Sequence, residues 1–224
     1  MNKLHHKFVA TLLFAGATLC AVPAHAAFLE GVAAYNRGDY AAAADIWRED
    51  AAAGDAAAQR NLGLLYLNGQ GVPKNEAAAA EWFRRSSDQG FPRASANLGE
   101  MYLRGVGVPR DPERAVTFFQ RAAEAGLAEA QYNLAILTEA GFGVRKDPEL
   151  ARRWFQRAAA GGHAPARERL RQMAPQQAAA VDADDVVAVP SEDVASSGDE
   201  APEVRRAGDG GLIDSLNAIL SPSG

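Results

Sequence analysis

Apolar residues in the middle of the chain recur three and four apart. Ala58, Leu62, Leu65 and Tyr66 fall at i, i+4, i+7 and i+8, one face of a helix. After a gap rich in glycine and polar residues, Ala79, Trp82, Phe83 and Ser86 fall at i, i+3, i+4 and i+7, a second helical face. Nothing between Asp55 and Gly162 alternates with period two over strand length, so the pattern predicts helices only.

The two-helix pattern then returns. "LGLLYLNGQGVPKNEAAAAEWFRRSSDQG" (62–90), "LGEMYLRGVGVPRDPERAVTFFQRAAEAG" (98–126) and "LAILTEAGFGVRKDPELARRWFQRAAAGG" (134–162) superimpose at shifts of 36 residues. Three units tile without gaps: 55–90, 91–126 and 127–162. Each is a helix pair too small to bury its own apolar face, so the units are expected to stack. Small residues at Gly63, Gly99 and Ala135 are placed to let the two helices of a unit approach closely.

The corner between the helices carries Gly105-Val106-Gly107-Val108, which has the look of a nucleotide loop. A dinucleotide fingerprint needs a strand before its glycines and a helix directly after. Here a helix precedes, and Pro109 and a capping residue intervene. Gly105 falls where a helix ends on a left-handed residue. Val108 reads as an apolar plug, Asp111 as an N-cap and Pro112 as a first helical residue. Asp147-Pro148 repeats that pair, and Asn75 stands in for the aspartate in the first unit. The loop therefore reads as a corner, not a phosphate site.

"Leu-Gly-x-x-Tyr-x-x-Gly-x-Gly-Val" followed by "Ala-x-x-(Trp/Phe)-Phe-x-Arg-x-Ala-x-x-Gly" resembles the Sel1-like repeat, a relative of the tetratricopeptide repeat. The third unit departs from it at Ala135, Thr138 and Arg145. The resemblance implies an all-α fold, an α/α solenoid of stacked helix pairs wound as a right-handed superhelix. Residues 27–54 keep Tyr35, Gly38, Ala43, Trp47 and Gly54 with a shorter corner, as in a degenerate tetratricopeptide-like pair. Residues 163–174 match a first helix with a charged outer face, the cap that such an array needs. His163 opens that helix.

The flanks and the charge narrow the chemistry. Residues 1–26 have a short basic start, an apolar run from Phe8 to Ala21 and Ala24-His25-Ala26, a signal peptide with cleavage expected after Ala26. The apolar run is too short for a good membrane span, and no integral span is expected in the mature chain. Cleavage removes Cys20, His5, His6 and His25, leaving His163 as the one histidine and no thiol. No disulfide, His/Cys metal site or cysteine nucleophile is then expected, and no cofactor. Residues 27–174 hold 19 basic and 18 acidic side chains, whereas 175–224 hold 2 and 10. Neither part suits nucleic acid. Residues 175–210 read as a disordered acidic linker.

In tetratricopeptide arrays the first helices line a concave groove that takes extended peptides. By resemblance the groove residues here are Arg60, Asn61, Leu64 and Asn68, then Ala96, Asn97, Glu100 and Arg104, then Tyr132, Asn133, Ile136 and Glu139. One amide recurs per unit, at Asn61, Asn97 and Asn133. It offers donors and an acceptor to a peptide backbone, or it bonds a neighbouring helix as a strut. Arg60 and Arg104 are candidates for a partner carboxylate. Near the C-terminus, Leu212, Ile213, Leu216, Ile219 and Leu220 make a short amphipathic helix over 211–221. It is suited to docking on a partner groove or back on its own solenoid.

Two functions follow as expectations. One is a non-enzymatic scaffold or regulator, periplasmic or secreted, that binds a protein or peptide in the bacterial cell envelope. The other, which the resemblance to penicillin-binding or β-lactam-hydrolysing Sel1-like proteins raises, is a cell-wall enzyme or ligand-binding protein. No nucleophile with a base is evident for it.

Overall fold

The computed structural model describes residues 24–173, with side chains described from Ala27. These residues form helices and turns only. The helices are α1 (Ala24–Asn36), α2 (Tyr40–Ala52), α3 (Ala56–Asn68), α4 (Glu76–Asp88), α5 (Pro92–Arg104), α6 (Pro112–Glu124), α7 (Ala128–Ala140), α8 (Pro148–Ala160) and α9 (Ala164–Met173). Each packs chiefly on its neighbours in sequence, so the helix pairs stack in order as an α/α solenoid. The signal-peptide reading falls mostly outside the described residues, although α1 already begins at Ala24. The acidic linker and the terminal amphipathic residues Leu212, Ile213, Leu216, Ile219 and Leu220 lie wholly outside them.

The core is a column of recurring side chains. Phe83, Phe119 and Phe155 are fully buried, as are Ala79, Ala115 and Ala151 beside them. A Cβ on Gly63 would lie 2.7 Å from the Phe83 ring, and one on Gly99 would lie 3.0 Å from Phe119. Glycine in each first helix thus admits the aromatic ring of the second. In the N-terminal pair, Gly31 does the same for Trp47, whose indole Nε1 donates to the Phe28 carbonyl.

The corners behave as hydrogen-bonded turns. Asn75, Asp111 and Asp147 each accept a bond from a backbone N–H three residues on, capping α4, α6 and α8. Gly69, Gly105 and Gly141 close the preceding helices at φ 69°, 72° and 76°. Within the second corner the N–H groups of Gly105 and Val106 both reach the Met101 carbonyl, and that of Asp111 reaches Tyr102. The second glycine has a different task. A Cβ on Gly71, Gly107 or Gly143 would strike the carbonyl of Tyr40, Glu76 or Pro112, the first residue of the preceding unit's second helix. This backbone-on-backbone contact stacks one unit on the next. The α1–α2 corner, three residues against seven in the repeats, lacks the segment that makes it.

Candidate functional site on the first helices

One register of the first helices joins the units. Gln59 Nε2 donates to the Ala51 carbonyl (3.1 Å), and Gln131 Nε2 to the Ala123 carbonyl (3.0 Å). In the middle unit Ser95 and Ser87 share a hydroxyl–hydroxyl bond of 2.7 Å. Positions 59, 95 and 131 are therefore struts between a first helix and the second helix before it. Sequence reasoning missed them because their shared property is polarity, not identity.

Two residues further along each helix lies the recurring amide. Asn61, Asn97 and Asn133 are 1%, 8% and 2% exposed. Asn61 Oδ1 accepts from Arg60 Nη1 at 3.2 Å. The Nδ2 groups of Asn61 and Asn97 are buried with no acceptor among the described residues. A buried amide without a partner costs about 1–3 kcal/mol, so it is the exception in a folded chain. With the inter-unit bonds made at 59, 95 and 131, these donors are not serving as struts.

The other groove candidates separate into groups. Asn68, Glu100 and Arg104 come together in a pocket of about 200 Å³, completed by Leu67, Lys74, Glu76, Met101 and Val106. The pocket sits between the C-terminal ends of α3 and α5. Glu100 is buried and pairs with Arg104 at 2.9 Å; Lys74 pairs with Glu76 at 2.8 Å. Arg104 thus meets a carboxylate of its own chain. Arg60 is buried rather than set on the surface. Tyr132 is 7% exposed and packs between Phe155 and His163, at 5.5 and 4.6 Å ring to ring, so it ties α7 to the cap. Leu64 is buried, Ala96 and Ile136 are half-buried, and Glu139 pairs with Arg169 of α9 at 2.7 Å.

His163 caps α9. Its Nδ1 accepts from the Ala166 N–H at 3.3 Å, which requires the neutral ring. Burial holds its pKa below the ordinary histidine value. The ring packs on Tyr132, so His163 has a structural place at the start of the cap.

Comparison with known proteins accords with the stacked pairs, the glycine corners and the capping pattern. The Sel1 repeat profile matches residues 56–91, 92–127 and 128–163. The chain belongs to the Sel1 repeat family. These Sel1 boundaries fall one residue after those read from the sequence. A Sel1 repeat protein from Oxalobacter formigenes superimposes with a TM-score of 0.60 at 34% identity, over 62% of this chain and 56% of that one. So does c5321, described as a protective antigen of uropathogenic Escherichia coli strains displaying an SLR fold. Its TM-score is 0.63 at 29% identity, over 67% of this chain and 33% of that one. The aligned part of this Sel1 chain spans about half of the first structure and a third of the second. Among curated protein sequences none matches significantly. No helix among the described residues is long and apolar enough to cross a membrane.

Proposed function

We propose that this Sel1 array is a non-enzymatic scaffold of the bacterial cell envelope, periplasmic or secreted, that binds an extended segment of a partner protein along its first helices. Sel1 repeats typically serve protein interaction, and nothing about the corners favours a nucleotide. The observation that carries the reading is the pair of buried, acceptor-free Nδ2 groups at Asn61 and Asn97. They lie one repeat apart on equivalent turns, and a peptide carbonyl that reached them as the covering side chains move aside would supply what each lacks. Asn133 continues the row. At the rim, Arg104 is exposed beside its buried partner Glu100 and offers its guanidinium to a partner's side chains.

Photo-crosslinking in cells tests this. A photoreactive residue in place of Arg104 is expected to capture a protein partner, and one in place of Gln120, on the exposed side of α6, is not. Asn97→Ala in the same protein is expected to reduce the capture at 104. Equal capture at both positions, or capture indifferent to Asn97→Ala, would refute the first-helix site. A reporter that is active only after export, fused after residue 174, tests the localisation.

A further inference from the structure

The three units carry nearly the same backbone but not the same charge. From corner to end of second helix, residues 72–90 hold three basic and three acidic side chains, and residues 108–126 likewise three and three. Residues 144–162 hold five basic and two acidic, and 163–173 a further three basic and one acidic. The excess sits where the repeat comparison is sharpest. In α4, Glu81 pairs with both Arg84 and Arg85, at 2.8 and 3.2 Å. The equivalent position in α8, 72 residues on, is Arg153. It is exposed, four residues before exposed Arg157, a like-charge spacing that disfavours a helix.

Neighbouring carboxylates do not neutralise this surface. Among the described residues, Asp147 is occupied as the N-cap of α8, Glu149 makes no ion pair, and Glu168 pairs with Arg171. Arg145, Lys146, Arg153 and Arg157 have no carboxylate within ion-pair distance among the described residues. Arg157 does lie over the Trp154 ring at 4.8 Å, which fixes its guanidinium at the surface.

The chain supplies a matching occupant. Residues 182–203 contain eight acidic side chains and no basic one. They follow α9, which packs on α8. Eight residues separate Met173 from Asp182, a reach of up to about 30 Å over nine peptide steps, while α8 is about 20 Å long. We propose that the basic surface of the third corner and α8 is the docking site of this chain's own acidic segment, residues 182–203, in cis. Tethering holds the segment at an effective concentration on the order of millimolar. The docked segment neutralises the like-charged Arg153 and Arg157 and denies that face to other anionic chains.

The test uses the full chain with Cys20→Ser and a nitroxide on Ser191→Cys. Amide resonances of α8 are expected to lose most of their intensity at low salt, while those of α4, on the charge-balanced unit, keep theirs. The effect is expected to vanish at about 1 M salt, where charges are screened within about 3 Å. It is expected to vanish in R153E/R157E and in the milder R153Q/R157Q, and to return when R153E/R157E is combined with D182K/D184K/D185K. Broadening spread evenly over the helices, or unchanged in the arginine variants, overturns the proposal. So does broadening that disappears on dilution, which marks docking in trans. If the label leaves α8 untouched but added poly-glutamate shifts its amides, the surface serves an external anion and the cis assignment falls.

Discussion

Alanine in place of Gly107 isolates what holds one repeat on the next. Three glycines give a graded series at similar positive φ. At Gly90 (φ 86°) an added Cβ meets nothing within 4 Å, so Gly90→Ala reads the left-handed backbone alone, about 1–2 kcal/mol. At Gly105 (φ 72°) the nearest atom is Arg110 Cβ at 3.2 Å, a mild crowding within the same corner that a small shift of the loop relieves, so the cost is only slightly larger. At Gly107 (φ 66°) the Cβ would strike the Glu76 carbonyl and approach the Ala77 nitrogen at 2.9 Å, both backbone of the preceding unit. Overpacking of this kind adds about 1–3 kcal/mol, so Gly107→Ala is expected to cost about 2–5 kcal/mol in all. The assay is urea unfolding followed by circular dichroism, with the midpoint as the readout. The expected order of midpoints is Gly90→Ala above Gly105→Ala above Gly107→Ala. Equal midpoints for the last two would show that Gly107 is there for its φ alone, and that the corner does not stack the units.

Phe119→Ala removes the ring that Gly99 admits at the centre of the array and is expected to cost about 3–5 kcal/mol in the same assay, whereas a loss under 1 kcal/mol would deny the ring its place in the core. Gln131→Ala leaves the Ala123 carbonyl without its donor and is expected to cost about 1–3 kcal/mol, with no loss of partner binding by the folded protein. His163 is neutral when folded and its pKa is depressed by burial, so between its folded value and the ordinary value near 6.5 the unfolded chain binds the extra proton. Stability is therefore full above about pH 6.5 and falls as the pH drops below it; a titration of the His163 ring by NMR giving a pKa above 6.5 would contradict this. ATP and NAD are expected to show no calorimetric binding that Gly105→Val abolishes.

The helices and their boundaries were legible because the information is local. Asp111-Pro112 and Asp147-Pro148 state where a helix starts, and Gly105 and Gly141 state where one ends, without reference to distant residues. The close approach of the two helices at Gly99 was legible too, from a small residue recurring at that position; that the Phe119 ring fills the approach was not. What was not legible depends on contacts between units. Gly107 looked like part of a loop, and only the stacked backbone shows Glu76 beneath it. The struts varied as Gln, Ser and Gln, so a search for identical residues passed over them and settled on the identical asparagines two positions away. Arg60 and Tyr132 resembled groove residues by register. Arg60 is buried in the array, and Tyr132 is taken by Phe155 and His163, because the third unit must also seat α9.

If the asparagine row faces a bound chain and the register two residues before it holds the array together, binding and stability respond to different substitutions. The direct measurement is a paired one, affinity and melting temperature for Asn97→Ala and Gln131→Ala, using a peptide from the segment captured by photo-crosslinking. For Asn97→Ala the expected result is an affinity loss of about 1 kcal/mol or more, roughly fivefold to tenfold, with the melting temperature little changed. For Gln131→Ala the reverse is expected, a lower melting temperature with the affinity of the folded protein preserved. If Asn97→Ala instead lowers the melting temperature and leaves affinity intact, the amide is a strut and the binding face lies elsewhere on the array.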